Sequence, residues 1–537
     1  MTLLLTGATG YVGKHILAAL LQAGERVVAV VRPQGGVLAE RVMGSLAPFR
    51  LPAACLAPER LQILAGDVTA PDLGLSAPDR QWLAKARVEQ VLHGAGLTRF
   101  DEHLAERIHQ HNRLGTEQAY RLARALGVRA FHHVSTAFVA GLAEGAFRLS
   151  GLACGDRFRN PYEASKVAAE DFLREAAQRD GIPIHVYRPS VVVGGVPPVG
   201  EGQSTSTVYA FLLAGRFLMD GARRDLLRGQ GPFAKSGARE LADGTLHLPS
   251  RLVADPETTM NLTRADYVAA ATVAGLRHEA QGYTVYPQIG SREVSLREMA
   301  ATFTRILGVS GFELVSEAAL ASAPATFAEQ CFARATSTYR PYLHNTTTFA
   351  QEAPAPGFPD PRDYPVDLDE VARTFLAFTG PAAARPAATV VIAAAPPNPT
   401  NPAVPSAPPT PRARGPREYF DGLVGGRLGQ AFLRSIAFVD AHIAFVIDDS
   451  PPFRRTIHFR CGEAREPAPG KGGADCTFAF DRALFDAILE GREDLRLAFF
   501  KGRIRVDGDQ EIGLKFGYLF GQHLGGPETV GLLGSTR

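Results

Sequence analysis

The chain has 537 residues, of which 45% are hydrophobic and 21% are charged, and its formal net charge is +2. This length predicts two or three domains, and the near-neutral charge argues against a nucleic-acid partner. Five scattered cysteines without a C-x-x-C pair argue against a disulfide framework, and we expect no metal site. No apolar run approaches the ~20 residues that cross a bilayer, and we expect no signal peptide. A cytoplasmic protein without a transmembrane segment is predicted.

The first 190 residues alternate short apolar runs with helical patterns. Helices are predicted at 12–23, 112–126 and 162–179. The runs between them are rich in Val, Leu and Ile, which predicts buried parallel strands at 3–5, 27–31, 62–64, 88–92, 130–134 and 184–186. Repeated strand–helix units predict an α/β fold with a Rossmann-type, doubly wound parallel sheet.

The pattern is less regular after residue 196, with helices predicted at 207–219, 264–276 and 295–307. We interpret residues 1–380 as one dinucleotide-binding domain, in which residues 196–380 are mostly a substrate lid over the sheet.

A change of composition follows this domain. Residues 381–411 contain ten prolines and ten alanines, which predicts a semi-rigid linker over 381–416. Order is expected to resume over 417–524, a length that suits one small α+β domain. Residues 525–537 are expected to form a tail.

A glycine-rich turn follows the first predicted strand and opens the first helix. Its glycines are spaced G-x-x-G-x-x-G. Such a turn lets the backbone approach a pyrophosphate, whose charge is favoured by the N-terminus of the helix. We therefore predict that a dinucleotide binds at Gly7, Thr9, Gly10, Tyr11, Val12 and Gly13.

The residue after the second strand predicts which dinucleotide binds. An NAD enzyme typically has Asp or Glu there, whereas this chain has Arg32, followed by Pro33. A guanidinium suits the 2′-phosphate of NADP, so NADP is the predicted cofactor and Arg41 a second candidate for the phosphate. The alternative is that Arg32 is a solvated surface residue.

Three further strand ends are predicted to touch the cofactor. Asp67 and Val68 follow the third strand, where Asp67 is placed to reach the adenine. Ala95 follows the fourth strand and is expected near the centre of the cofactor. Pro189, after the sixth strand, is expected to shape the nicotinamide pocket.

Tyr162 and Lys166 lie at the start of a predicted helix, on one face because of their i,i+4 spacing. Hydride addition to a carbonyl makes an alkoxide that must receive a proton. A phenol is a poor acid/base at neutral pH, and a nearby ammonium is expected to lower its pKa. The alternative is a surface pair without a catalytic role.

Two adjacent hydroxyls, Ser135 and Thr136, follow the fifth strand, and one of them is expected to hold the substrate carbonyl near Tyr162. Ser135 has local backbone groups as an alternative partner, so Thr136 is favoured. Asn112 is interpreted either as a helix N-cap or as part of a water relay. His132 and His133 face opposite ways on a strand, which favours strand packing over a metal site.

The TGATGYVG turn, the Tyr162/Lys166 pair and the string YRPS together resemble extended short-chain dehydrogenases/reductases. The strings GDVTAPDLGLS (66–76), VLHGAG (91–96) and HVSTA (133–137) resemble the fatty acyl-CoA reductase and thioester reductase branch, the male-sterility type. Gly94 and Gly96 depart from the branch, which commonly has alanine there. The resemblance implies NADPH-dependent reduction of an acyl thioester to aldehyde or alcohol, with Thr136 or Ser135, Tyr162 and Lys166 as the catalytic group.

The C-terminal segment resembles sterol carrier protein type 2 domains, which bind acyl chains or sterols. The residues that carry this resemblance are 477–480, 484–491 and 498–509. For each apolar residue a core position is the simpler interpretation, so no lipid-contact residue is assigned.

These patterns favour a reductase of a lipophilic thioester with a tethered lipid-binding domain. Acyl-CoA and acyl carrier protein are the candidate partners, and transient membrane contact is compatible with the lipid-binding domain. One alternative is a 3-hydroxysteroid or 3-hydroxyacyl dehydrogenase that uses the same residues. Another is a lipid-transfer protein without enzymatic activity, against which the intact Tyr162/Lys166 pair argues.

Overall fold

A computed structural model describes residues 1–33, 38–100, 102–151, 155–196, 207–228, 232–379, 415–424, 440–449, 451–460, 463–466, 474–489, 498 and 503–508. Most of the predicted linker and all of the predicted tail lie outside these residues. The chain forms two compact units that divide near residue 380.

The first unit is built from strands with helices between them. Its strands are β1 (Thr2–Thr6), β2 (Arg26–Val31), β3 (Leu61–Ala65), β4 (Gln90–His93), β5 (Ala130–Val134), β6 (Gly145–Phe147), β7 (Ile184–Pro189), β8 (Val191–Val193), β9 (Arg239–Glu240), β10 (Leu246–Val253), β11 (Thr259–Arg264), β12 (Tyr283–Gln288), β13 (Glu293–Ser295), β14 (Val309–Val315) and β15 (Thr347–Phe349). Its helices are α1 (Tyr11–Gln22), α2 (Leu38–Leu46), α3 (Ala77–Lys85), α4 (Ala105–His109), α5 (Gly115–Leu126), α6 (Pro161–Asp180), α7 (Thr207–Arg228), α8 (Pro232–Lys235), α9 (Ala265–Arg277), α10 (Leu296–Leu307), α11 (Glu317–Ala321), α12 (Phe327–Thr336) and α13 (Leu368–Thr379).

Seven strands form one parallel sheet in the order β12-β7-β5-β4-β1-β2-β3. The strands are continuous apolar runs because helices cover both faces: α1 and α9 lie on one face, and α5 and α6 on the other. The strand order reverses between β1 and β4, and open α/β sheets bind ligands outside the carboxyl ends of the strands at such a point.

The predicted fold class is confirmed, and all six predicted strands lie in this sheet. The seventh strand, β12, and the helix α9 come from the interval that was interpreted mostly as lid. The sequence of β12, YTVYPQ, is not a typical buried apolar run. It tolerates Pro287 because it forms the edge of the sheet, where one side of the strand needs no hydrogen-bond donor.

The lid has two smaller sheets, with the strand orders β13-β11-β8 and β14-β10-β9. Helices α7, α10 and α13 pack with them around a separate apolar core. The helix predicted at 207–219 continues to Arg228, whereas those predicted at 264–276 and 295–307 match α9 and α10 within one residue at each end.

The second unit is a five-stranded sheet with one described α-helix, α14 (Arg482–Leu489). The strands are β16 (Asp440–Asp448), β17 (Phe453–Arg460), β18 (Glu463–Arg465), β19 (Cys476–Asp481) and β20 (Arg505–Gly508), in the order β18-β17-β16-β19-β20. Buried aromatic rings fill its core: Phe420, Phe445, Phe453, Phe478, Phe480 and Phe485. This arrangement agrees with the predicted α+β domain.

Within the described residues, no helix is both long and apolar enough to span a membrane.

Candidate active site

The glycine-rich turn joins β1 to α1 and lies against the loop after β4. Gly7 has a left-handed φ of +80°, and a Cβ there would fall 2.5 Å from the carbonyl carbon of Gly94. A Cβ at Gly13 would fall 1.9 Å from the carbonyl oxygen of Gly7. Gly10 is exposed at the start of α1, where the first N–H groups have no acceptor within the helix. The turn therefore presents open backbone donors, as a pyrophosphate site requires.

Tyr11, Val12 and Thr9 are the other predicted residues of the turn. The hydroxyl of Tyr11 donates to the carbonyl of Gly194 at 2.7 Å and lies 3.2 Å from the hydroxyl of Tyr209. The side chain of Val12 packs against the apolar cluster of α9. Thr9 is partly buried. The side chains of Tyr11 and Val12 are thus turned into the domain.

Arg32 follows β2 and Asp67 follows β3, so both lie at the carboxyl edge of the sheet. Burial raises the pKa of Asp67, but hydrogen bonds from the backbone and hydroxyl of Thr69, with the positive charge of Arg32, hold it below its usual value. Arg32 is exposed, and its carbonyl accepts a hydrogen bond from Arg41 at 2.8 Å. Val68 is partly buried against the core of the sheet. The guanidinium of Arg41 therefore lies against the backbone of Arg32, at the end of β2 where a 2′-phosphate was predicted.

Ala95 and Pro189 flank the middle of the sheet edge. The backbone N–H of Ala95 donates to the hydroxyl of Thr6 at 3.2 Å, which fixes the loop after β4 against the end of β1. Pro189 is buried as the last residue of β7, in register with Gln288 of β12.

Helix α6 presents Tyr162 in its first turn. Asn160 caps the helix, because its side-chain oxygen accepts from the backbone N–H of Glu163 at 3.1 Å. The phenol of Tyr162 is hydrogen-bonded to the hydroxyls of Thr136 and Thr98. Thr98 was not predicted, since a single threonine in a loop gives no sequence signal. The structure thus brings three hydroxyls together.

Burial raises the pKa of Tyr162 to about 12, and the negative charge of Glu163 adds to this effect, although the two threonine hydrogen bonds oppose it. The expectation that Lys166 lowers this pKa is therefore wrong for this structure. The ammonium of Lys166 donates instead to the backbone carbonyl of Val134 at 2.8 Å. Tyr162 is consequently a protonated phenol at neutral pH, which suits a proton donor.

Lys166 is buried beneath the loop after β4. Burial lowers its pKa to about 8, and the negative charge of Glu170 opposes this shift. A Cβ at Gly96 would lie 3.6 Å from the Lys166 ammonium and 3.1 Å from the side-chain oxygen of Asn112. The absence of a side chain at Gly96 therefore lets this loop approach the lysine closely.

Ser135 was predicted as a catalytic alternative to Thr136, and the structure gives its hydroxyl a different partner. Its hydroxyl donates to the carboxylate of Glu170 at 2.5 Å, within the buried interior. Adjacent residues of an extended backbone point to opposite sides, so only Thr136 reaches Tyr162.

Asn112 is not an N-cap, because it lies inside a continuous helical segment that connects α4 to α5 through a π-helical turn, Gln110–Leu114. Its side-chain oxygen accepts from the backbone N–H of Leu97 at 2.6 Å, and its amide donates to the Leu97 carbonyl and to Ser165. Asn112 therefore ties the loop after β4 to helix α6. A π-turn of this kind often marks a functional site.

His132 and His133 pack within the sheet with different neighbours. The ring of His132 stacks on His185 at 4.5 Å and bonds the hydroxyl of Tyr187, whereas the ring of His133 stacks on His93 at 5.6 Å. Burial lowers the pKa of both far below the usual value, so both rings are neutral.

Two buried carboxylates hold α6 in place. Glu163 accepts from the hydroxyl of Tyr342 at 2.8 Å and from the backbone N–H of Arg159 at 3.0 Å, and it lies 3.4 Å from the Arg159 guanidinium. The amide of Asn160 donates to the same Tyr342 hydroxyl at 2.8 Å. These contacts connect the N-terminal end of α6 to the lid.

Glu170 lies one turn beyond Lys166 and makes a bidentate pair with Arg188 of β7, at 2.6 and 3.1 Å. Both side chains of the pair are completely buried. Glu170 also accepts from Ser135 of β5 and from the hydroxyl of Tyr283 of β12. These contacts connect the middle of α6 to the sheet.

Comparisons with known proteins relate both units of the chain to known families. Residues 5–225 match a family of NAD-binding domains described as male sterility protein, and residues 433–521 match the SCP-2 sterol transfer family. The terminal R domain of the myxalamid biosynthetic pathway is similar in fold, with a TM-score of 0.52 and 23% identity, over 70% of this chain and 89% of that domain.

Two curated relatives are reductases. A carboxylic acid reductase of Segniliparus rugosus is 27% identical over 305 residues, which cover 52% of this chain and 24% of that protein. The fatty acyl-CoA reductase wat of Drosophila melanogaster is 30% identical over 230 residues, which cover 35% of this chain and 42% of that protein. This chain thus spans less than half the length of either relative.

The first unit has the fold of extended short-chain dehydrogenases/reductases. More narrowly, the chain joins a nicotinamide-dinucleotide-binding domain of the male sterility protein family to a domain of the SCP-2 sterol transfer family.

Proposed function

We propose that this protein is an NADPH-dependent reductase that converts a lipophilic acyl thioester to an aldehyde or alcohol. The observation that carries the proposal is the group formed by Tyr162, Thr136 and the ammonium of Lys166 at the strand ends next to the glycine turn. Similarity to reductases of acyl groups supports the thioester as substrate.

The residues of the turn fit a dinucleotide, because a Cβ at Gly7 or Gly13 would fill the space against the neighbouring backbone. The N-terminal N–H groups of α1 would hold the pyrophosphate, and Arg32 with Arg41 would hold a 2′-phosphate. Bound there, NADPH supplies the hydride that reduces the carbonyl carbon.

The side chains at the sheet edge would bind the carbonyl oxygen of the substrate and supply its proton. Thr136 and the phenol of Tyr162 donate hydrogen bonds to the carbonyl oxygen and stabilise the negative charge that develops on it. Because burial holds the pKa of Tyr162 at about 12, the phenol retains a proton to donate. The ammonium of Lys166 would hold the ribose hydroxyls beside the nicotinamide when the cofactor is bound. Net reduction to the aldehyde consumes one hydride and one proton and releases the free thiol.

The SCP-2 domain supports a lipophilic substrate, since domains of this type bind lipids. A tether between the two domains would raise the local concentration of lipid near the reductase. The proposed partners are therefore fatty acyl-CoA or an acylated carrier protein.

Replacing the phenol tests the proposal. In Tyr162→Phe, kcat/KM with a fatty acyl-CoA and NADPH should fall by about 10²- to 10⁴-fold, because the proton donor is lost. NADPH oxidation and thiol release are measured together. The matched control is Tyr120→Phe, which removes a hydroxyl that donates to Asp180 away from this site.

Full activity of Tyr162→Phe would contradict the assigned mechanism. Reduction of a 3-ketosteroid or a 3-ketoacyl substrate without thiol release would favour the dehydrogenase alternative. Lipid binding without NADPH oxidation on any of these substrates would favour a transfer protein.

A further inference from the structure

The lid contains an apolar cavity of about 110 Å³ that is partly open to solvent. It lies between α7, α10, β10 and β14, and its lining includes Phe211, Leu218, Leu252, Met299, Phe303 and Leu307. The hydroxyls of its lining residues Ser250 and Thr304 donate to backbone carbonyls of their own strand and helix. The cavity wall therefore favours a hydrocarbon over a polar ligand.

A layer of aromatic rings connects this cavity to the candidate active site. The centroid of the Phe100 ring lies 5.5 Å from that of Tyr162 and 5.6 Å from that of Tyr339. The ring of Tyr339 lies 6.1 Å from Phe211, which lines the cavity. Two rings, those of Phe100 and Tyr339, thus separate the phenol from the cavity wall.

We propose that this cavity receives the methyl end of an unbranched acyl chain whose thioester carbonyl lies at Tyr162. The inference rests on the proposed reductase function and deepens it, because it assigns the part of the lid that selects the length of the chain. A flexible chain is the occupant that joins the two sites, since it bends past Phe100 and Tyr339 and presents no polar atom to the cavity.

Gly215 of α7 leaves space in the cavity for the acyl chain. It lines the cavity, and a Cβ at this position would fall 2.9 Å from the side chain of Leu307 on α10. Glycine inside a helix is less favourable than alanine by roughly 0.5–1 kcal/mol, so its presence here is consistent with a need for space. A larger side chain at residue 215 would shorten the cavity between the two helices.

The first measurement is the dependence of kcat/KM on chain length for the full protein with NADPH and saturated acyl-CoAs from butanoyl to octadecanoyl. Each methylene that enters the cavity should raise kcat/KM by about fourfold, until the cavity is filled and the increase stops. Wild-type protein that oxidises NADPH with none of these substrates would overturn the proposed function. Wild-type activity that is independent of chain length would overturn only the assignment of the cavity.

The second measurement uses Gly215→Leu. Its kcat/KM for hexadecanoyl-CoA should fall at least about tenfold, while that for butanoyl-CoA changes less than about twofold. The matched control is Gly44→Leu in α2, where a Cβ meets no atom within 4 Å and both values should be retained. An equal loss at both lengths, with native unfolding behaviour, would overturn the proposal.

Leu218→Ala decides the question if Gly215→Leu fails to fold. Leu218 is buried in the cavity wall, so its truncation should move the optimum towards longer chains. An unchanged optimum would overturn the proposal. The same holds if a 3-ketosteroid is reduced and Gly215→Leu blocks that reaction, because the occupant would then be a sterol.

Discussion

Helix α6 is held at two places by buried carboxylates, and the two attachments differ in kind. Glu170 binds the sheet through a bidentate pair with Arg188, in which neither side chain is exposed. Glu163 binds the lid directly through the neutral hydroxyl of Tyr342 at 2.8 Å. The guanidinium of Arg159, which is also buried, lies 3.4 Å from Glu163 and donates to Thr347 of the lid. The comparison indicates that a bidentate ion pair fixes helix α6 to the sheet, whereas the lid is attached to the helix by weaker bonds.

Loss of the sheet attachment should have the largest effect. Glu170→Ala leaves Arg188 charged and unpaired by a carboxylate in the interior, so the free energy of unfolding should fall by about 3–5 kcal/mol. Urea unfolding followed by the fluorescence of Trp82, the one tryptophan of the chain, measures this in the first unit.

The free energy of unfolding should fall less in the double variant Glu170→Met, Arg188→Met than in Glu170→Ala, because no buried charge remains unpaired. Glu257→Gln serves as a surface control, since its pair with Arg297 is largely exposed and should contribute less than about 1 kcal/mol. An equal fall in the free energy of unfolding for Glu170→Ala and Glu257→Gln would refute the proposed difference between the buried and the exposed ion pair.

Removal of the lid hydroxyl should have an intermediate effect. Tyr342→Phe takes one partner from both Asn160 and Glu163, which are buried, so the free energy of unfolding should fall by about 1–3 kcal/mol. The counterpart on the sheet side is Tyr283→Phe, which removes one of several donors to Glu170. A larger fall in the free energy of unfolding for Tyr283→Phe than for Tyr342→Phe would contradict the importance assigned to the Tyr342 hydroxyl.

The smallest expected effect is a shift in the pH dependence of kcat/KM. Lys166 carries its charge below its pKa of about 8, so activity should decline as the pH rises through that value. Glu170→Gln removes a negative charge that raises this pKa, and the decline should move to lower pH by less than about one unit.

Glu163→Gln is the matched control for this shift. The charge of Glu163 raises the pKa of Tyr162, which is about 12 and far above the decline, so the profile should stay in place. A shift in Glu163→Gln as large as that in Glu170→Gln would show that Tyr162, and not Lys166, sets the alkaline limit.

The parts of the site that the sequence predicts are those in which the motif is local. The glycine spacing and the Tyr162/Lys166 spacing identify a strand–turn–helix and one helical face, and the structure places both at the carboxyl edge of the sheet. The sequence could also have predicted which way Ser135 points, because strand alternation allows only one of two adjacent hydroxyls to face Tyr162.

The rest depends on contacts between distant residues. Thr98 and Glu170 have no distinctive neighbours in the sequence, and their roles follow from the fold that brings them to Tyr162 and Arg188. The pKa of Tyr162 could not be predicted either, because desolvation depends on the surrounding packing and not on spacing. The domain boundaries and the catalytic assignments remain predictions.

The late position of β12 in the chain has a practical consequence for dissecting the protein. The matched NAD-binding family ends at residue 225, yet β12 (Tyr283–Gln288) pairs along the whole of β7. A fragment that ends at residue 225 would leave β7 with unpaired backbone groups along one edge. It would also expose Tyr187, whose ring stacks on that of Tyr286 with a centroid distance of 5.5 Å. Open strand edges of this kind promote self-association. A soluble fragment of the first unit therefore has to extend beyond residue 288.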